Sequence, residues 1–294
     1  HWNTDFVLLG GDTNIVPYRG LWAEGPRSEA VPSDLYFACL DGPFNGDGDG
    51  KWGERTDGVN GGEIDIFADV YVGRASAENP EEFANFVYKT IAYETASSAD
   101  PYLHTALMLG EYMGFSGDSE YAKPAMEEIR KGRYPLKGFL AHPDGSVDTL
   151  YEKDGNWYRS DLLALINSNK YSLINHMGHG QIDSALKLRN RDDASLTNSR
   201  FLFVNSQACF PGAFDEDCLA EHLTTSTRNG CFAVVMNTRE GVINRTSTKG
   251  ASQLFQRYFW NALFGKSITC LGAMMADMRY ERRWQLYGCN RWVY

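Results

Sequence analysis

The chain has 294 residues, enough to bury one large α/β domain or two smaller ones. Acidic residues outnumber basic ones by 38 to 28, a formal net charge of -10, which disfavours general attraction to nucleic acid and favours basic or neutral partners. No apolar run approaches the roughly 18 residues that span a bilayer, so no membrane span is expected.

The first residue is His1 rather than Met, and no signal-peptide pattern precedes the first strand, so the sequence reads as a processed or truncated piece that does not reveal its targeting. Phe6 to Leu9 is an apolar strand ending in Gly10-Gly11-Asp12. The segment Asn45-Gly46-Asp47-Gly48-Asp49-Gly50-Lys51-Trp52-Gly53-Glu54 then places oxygen ligands at its first, third and fifth positions and a turn glycine at its sixth, as a calcium loop begins. Its twelfth residue is Thr56 rather than Glu, so it is no complete EF-hand. The candidate ligand set is Asn45, Asp47, Asp49, Lys51 and Glu54, with Asp57 or Asp41 as other residues that would close the shell. Calcium there is expected to stabilise the loop, not to enter catalysis.

Val70 to Val72 is the next strand. Pro80 to Thr95 reads as a helix: Asn79 caps it, Pro80 suits its first position, Glu81 and Glu82 favour its positive end, and Phe83, Phe86, Val87 and Ile91 recur on one side. Ser97 to Pro101 is the best linker, dividing the chain into 1–97 and 98–294. After it come a strand Ala106 to Leu109, a helix Lys123 to Lys131, a strand Gly138 to Ala141 and a helix Ser160 to Asn167. Strands Ser172 to Asn175 and Phe201 to Ser206 follow, then a helix near Glu216 to Leu223, a strand Phe232 to Met236 and helices Ala251 to Leu263 and Ile268 to Arg279. Strands alternating with helices predict a mostly parallel sheet covered on both faces. Arg279, Arg282, Arg283 and Arg291, interleaved with Tyr280, Trp284, Tyr287 and Trp292, read as a packed domain edge of helix then strand, not as a nucleic-acid stripe.

In such sheets ligands collect beyond the carboxyl ends of the strands. Three reactive residues stand just past those ends: Glu111, His179 and Cys209. A thiol beside an imidazole is what nucleophilic attack on a carbonyl needs. Gly180, lacking a side chain, lets its N–H approach a ligand, so the N–H groups of Gly180 and Cys209 form the candidate oxyanion site. His176 also competes for the histidine role, but it abuts the strand and no glycine follows it. His176 and His179 lack a third ligand at metal-binding spacing. Six cysteines, at 39, 209, 218, 231, 270 and 289, are too sparse and irregular for a disulfide framework; with Cys209 kept as a thiol, two bridges at most remain.

The segments Asn175-His176-Met177-Gly178-His179-Gly180 and Ser206-Gln207-Ala208-Cys209 resemble the histidine and cysteine motifs of the gingipain family of cysteine peptidases. The resemblance runs along nearly the whole chain, through Phe6 to Asp12 with Ile15-Val16-Pro17, Ser33-Asp34-Leu35-Tyr36, Asp69 to Arg74, Thr90 to Glu94 and Trp284 to Gly288. It implies an α/β caspase-like three-layer sandwich of two related subdomains with mostly parallel sheets, the second subdomain holding the site. It also implies Cys209 as nucleophile, His179 as acid/base and Glu111 as the carboxylate that orients the imidazole. Asp118 and Asp183 are the pocket carboxylates it suggests for a substrate with Arg or Lys before the scissile bond. Two departures stand out. Gly288 is followed by Cys289-Asn290 where the family commonly has Asp-Pro, and the chain is expected to lack the strands and helices that normally precede the one at Phe6. No aromatic occurs in Asn237-Thr238-Arg239-Glu240, where relatives wall the pocket with one.

The expected function is therefore a cysteine endopeptidase that acts on polypeptides through a thioester. Its expected location, from the resemblance, is extracellular or at the cell surface, with a propeptide or additional domains outside this chain. The rival readings are a non-catalytic binding or secretion module of the same family and a transpeptidase.

Overall fold

The computed structural model describes residues 4–24, 28–58, 65–143 and 145–289, with side chains up to 283. The first part is built from β1 (Phe6–Gly10), an antiparallel hairpin β2 (Arg19–Ala23) and β3 (Glu29–Ser33), a single helical turn α1 (Leu35–Ala38), β4 (Tyr71–Ala75) and α2 (Pro80–Glu94). Strands β1 and β4 pair in parallel. One guanidinium ties this region together: Arg74, nearly buried, binds Asp34 with two N–H groups and donates to the carbonyls of Gly11 (3.1 Å) and Val16 (2.7 Å). A fork of donors matched to a carboxylate is a strong, oriented contact. Four of the short family-like segments thus meet at a single side chain.

Helix α2 begins where its sequence says. Asn79 Oδ1 accepts the N–H groups of Glu81 and Glu82. Its buried contact differs from the expected apolar stripe: Ile91 is exposed, while Lys89 is fully buried. The Lys89 ammonium donates to the carbonyls of Leu223 (3.2 Å), Thr227 (2.7 Å) and Asn229 (2.9 Å), and Tyr93 stacks on Phe232 at 3.8 Å. A lysine reads as a solvated residue in any hydropathy pattern, so the helix is rotated relative to the stripe that pattern picks out.

The second part holds β5 (Thr105–Gly110), α3 (Lys123–Lys131), β6 (Ser146–Tyr151), α4 (Arg159–Asn167) and β7 (Leu173–Met177). The two-residue strands β8 (Gly180–Gln181), β9 (Ser184–Ala185) and β10 (Leu188–Arg189) follow, then β11 (Leu202–Ser206), the short α5 (Leu219–Glu221), β12 (Cys231–Met236), α6 (Ala251–Lys266) and α7 (Leu271–Cys289). Five strands form one parallel sheet in the order β12-β11-β7-β5-β6. Its two faces have separate cores, as period-two alternation requires. Met108, Phe203, Phe259 and Trp260 pack on one face, and Leu107, Leu109, Ile174, Val204 and Leu162 on the other. Asn175 is buried but satisfied, accepting from Trp260 Nε1 at 2.7 Å.

Three expected elements moved. Phe139–Ala141 is a 3-10 turn rather than a strand, and the edge strand is β6, whose polar Ser-Val-Asp-Thr sequence hides its extended character at a sheet margin. The segment expected as a helix near Glu216 to Leu223 is only α5, continued by a π turn over His222–Ser226. Helix α7 runs on to Cys289 where a strand was expected after Arg279, while Arg291 and Trp292 lie outside the described residues.

Candidate active site

Strand register brings the reactive residues to one level. Leu109 pairs with His176, His176 with Ser206, and Ser206 with Met236, so β5, β7, β11 and β12 end side by side. Glu111, His179 and Cys209 leave from the tips of the first three. The His179 loop also lies directly on the cysteine turn: a Cβ on Gly180 would stand 2.8 Å from Ala208 Cβ and 2.8 Å from the Cys209 carbonyl oxygen. Only glycine allows that approach.

Cys209 is half-buried, and its Sγ accepts the Gly241 N–H at 3.4 Å. Phe210 takes a left-handed φ of 72°, a cost that a non-glycine residue carries only when its surroundings impose it. Here they do. Phe210 N–H donates to Arg239 O (3.1 Å), Gly212 N–H donates to Asn237 O (2.9 Å), and the Asn237 amide donates to the carbonyls of Gln207 and Ala208. Burial pushes the Cys209 thiol up, the nearby Glu240 charge adds to the rise, and the Gly241 N–H only partly offsets them. The resting group is therefore a thiol that needs a base.

Glu111 does not touch the His179 ring. Its Oε1 lies 3.2 Å from His176 Nε2, and its Oε2 accepts the His179 backbone N–H at 2.9 Å. Burial pushes the Glu111 carboxyl up, but the His176 hydrogen bond and charge with the His179 N–H outweigh it and hold it below the usual carboxylate range. His176 is wholly buried, and its Nδ1 lies 2.8 Å from Ser206 Oγ. A carboxylate can only accept, so Nε2 carries a proton toward Glu111, and Ser206 Oγ is the hydrogen-bond partner of Nδ1. Gly178 makes this chain of contacts possible, since a Cβ there would fall 2.4 Å from both the Glu111 carboxyl carbon and His176 Nε2. The His179 ring instead meets the Tyr112 carbonyl, Nε2 to O at 3.0 Å. A carbonyl also only accepts, so Nε2 carries the proton and Nδ1 is left to exchange one.

Asp118 is exposed on a 3-10 turn, Gly117–Ser119, that is zipped to the loop after Gly241. Its N–H reaches Thr246 O, and Ser119 Oγ donates to the carbonyls of Asn244 (2.6 Å) and Ser247 (2.8 Å). Asp183 is exposed in the β8–β9 turn, where Oδ1 accepts from Ser184 Oγ. Arg239, the nearby cation, is committed: it grips Asp215 with two N–H groups (3.0 and 2.7 Å) and Glu29 with a third. Sequence reasoning missed Tyr112, Ser206 and Gly241. Tyr112 and Gly241 act through backbone atoms that no motif encodes, whereas Ser206 stood inside the quoted cysteine motif.

Away from this edge, donor oxygens of Asp47, Asp49 and Glu54 lie within 4.8 Å of one another, and those of Asp41, Asp65 and Asp69 do the same. The residues of the first group fit a hard cation, because Asn45 Oδ1 is buried without a partner. Lys51 enters as a competing charge, with Nζ 3.6 Å from Glu54 Oε2. Asp57 is spent on the N–H groups of Gly46 and Glu54, and Asp41 belongs to the other cluster. The left-handed glycines of the loop are Gly48 (φ 74°) and Gly53 (φ 78°) rather than Gly50. Cys39, Cys209, Cys218, Cys231 and Cys270 are all free thiols. Among the described residues no helix is long and apolar enough to cross a membrane.

The sequence model of Peptidase family C25 matches residues 1–291. Lys-gingipain W83 of Porphyromonas gingivalis is 22% identical over 284 residues, covering 92% of this chain, and another Lys-gingipain of that species is 24% identical over 282 residues. The chain spans 14% of the length of each. The solved structure of the Arg-specific cysteine proteinase gingipain R superposes with a TM-score of 0.72 at 20% identity, over 97% of this chain and 60% of that one. The complex of P. gingivalis RgpB pro- and mature domains superposes equally well, with a TM-score of 0.72 at 18% identity over 97% and 62%. The fold is thus the caspase-like α/β architecture of gingipain R. The chain belongs to Peptidase family C25, a family of cysteine peptidases.

Proposed function

We propose that the protein is an endopeptidase whose nucleophile is Cys209 and whose acid/base is His179. The carrying observation is the common level of the β5, β7 and β11 tips, with Gly180 seated against the Cys209 carbonyl. His179 takes the thiol proton at Nδ1 as Sγ bonds to the scissile carbonyl carbon. The N–H groups of Gly180 and Cys209 receive the oxyanion, a contribution of about 3–4 kcal/mol per donor in comparable sites. The C–N bond then breaks as the imidazolium returns its proton to the leaving amine. Water attacks the thioester with His179 again as base, releasing the carboxylic acid and the thiol. Glu111 contributes by fixing the His179 backbone and the buried His176.

The preferred residue before the scissile bond is Arg or Lys. Exposed Asp118 and Asp183, together with an Arg239 already neutralised by Asp215, support a pocket that tolerates a cation. Calcium would be held by Asp47, Asp49 and Glu54 with the Asn45 oxygen, and when bound it would crosslink the loop. Residues 1–97 form the supporting part and 98–294 the part bearing the site; the substrate is an extracellular or surface polypeptide.

The test is a set of peptidyl electrophiles bearing Arg, Lys or a neutral residue next to the warhead. The reading predicts selective labelling of Cys209, fastest with the basic probes and lost in His179→Ala. Equal labelling of several cysteines, with no peptide turnover, would leave a non-catalytic module instead, and ligation to an added amine peptide would indicate transpeptidation.

A further inference from the structure

Behind His179 lies a pair of charges that neither the motifs nor the proposed chemistry use. Glu152 immediately follows β6, and its carboxylate accepts the Tyr112 N–H with one oxygen and the Lys187 ammonium with the other. Lys187 also donates to Trp157 O at 2.6 Å and sits 4.2 Å from the Trp157 ring centroid. The site is well anchored: Glu152 N–H and Trp157 Nε1 both donate to Gly110 O, at 2.9 and 3.4 Å, and Trp157 is buried. Leu186 and Lys187 turn between β9 and β10 with left-handed φ of 55° and 59° and no glycine. Two consecutive non-glycine residues in that region are a local cost, and the packing around the Lys187 ammonium is what holds the second of them there.

The Tyr112 backbone is therefore engaged in both of the peptide groups that flank its Cα. Its N–H is held by Glu152, and its carbonyl meets His179 Nε2. Lys187 lies on the hairpin that His179 itself leads into, so the pair joins the acid/base loop to the β5 tip. We propose that Glu152 and Lys187 are positioning residues that clamp the Tyr112 backbone, so that its carbonyl is fixed in place and holds the His179 ring with its proton on Nε2.

This rests on His179 being the acid/base, and the experiment separates the two claims. In the full chain labelled with 15N-histidine, His179 is assigned by its loss in His179→Ala, and its tautomer is read from long-range 1H–15N couplings. The wild type should show the Nε2–H form. Glu152→Ala and Lys187→Met should each give a mixed tautomer, with kcat lowered about 10- to 100-fold and KM within about twofold. Glu152→Gln keeps an acceptor for Tyr112 N–H but loses the ion pair, so it should fall between wild type and Glu152→Ala. It also serves as the readout if the alanine variant fails to fold. An unchanged His179 spectrum in folded Glu152→Gln and Lys187→Met overturns the proposal, even if kcat drops. A wild type with no turnover refutes the peptidase reading alone, because the tautomer still reports on the clamp.

Discussion

At Cys209, burial and the Glu240 charge keep the thiol protonated near neutrality, so under the proposed mechanism its reactivity depends on His179 as base. Alkylation of Cys209 by iodoacetamide at pH 7 should drop at least about tenfold in His179→Ala, and in that variant rise about tenfold per pH unit into the alkaline range. A rate that ignores the substitution would show that the two groups do not communicate. Gly178 gives a steric test: Gly178→Ala should cost roughly 1–3 kcal/mol in denaturant unfolding, because its methyl would enter the space of the Glu111 carboxyl and the His176 ring. The Glu111 carboxyl is held low in the folded state. A depressed folded value means that its stabilisation is present above the unfolded pKa of about 4.3 and is lost as pH falls through the folded value. The acid limb of the stability curve should therefore be shallower in Glu111→Gln than in the wild type. That Glu111, His179 and Cys209 stand past strand ends was legible in the sequence. Which ring Glu111 would grip was not, because His176 and His179 differ in surroundings rather than in type: one side chain is buried between Glu111 and Ser206, and the other is exposed against the Tyr112 carbonyl.

Among the elements, α2 carries the sharpest test. Lys89 bridges it to the carbonyls of Leu223, Thr227 and Asn229, and burial brings its pKa down to about 7. The unfolded chain holds a proton on this amine up to about pH 10.4, so between about 7 and 10.4 the unfolded state binds more protons and stability rises with pH. Lys89→Met should abolish that rise and, by stranding three carbonyls, cost roughly 1–3 kcal/mol, both measurable by urea unfolding at two pH values. The start of α2 was readable from Asn79-Pro80, since capping is a local interaction. Its inward face was not, because a lysine that is buried by distant carbonyls has the same pattern as one in water.

For the whole molecule, the acidic loop is where a ligand would change stability without changing the chemistry. Added calcium should raise the unfolding temperature in proportion to RT ln(1 + [Ca]/Kd), about 2.7 kcal/mol at 100 times Kd, and chelation should reverse it. Asp47→Asn with Asp49→Asn should abolish the shift while kcat below the transition stays within about twofold of wild type. A calcium effect that survives both substitutions would place the ion elsewhere, with Asp41, Asp65 and Asp69 as the second cluster to examine.

Sequence by itself determined the alternation of strands and helices, the family, and the placement of Glu111, His179 and Cys209 past strand ends, because period, capping and strand-end placement are encoded within a few residues of one another. Only the tertiary structure decided which side chains share a proton and which share a carbonyl. Glu111 with His176, Tyr112 with His179, and Gly241 with Cys209 are pairs separated by 32 to 67 positions, brought together by parallel register. Hydrogen bonds depend on direction within a fraction of an ångström, and no local pattern carries that information.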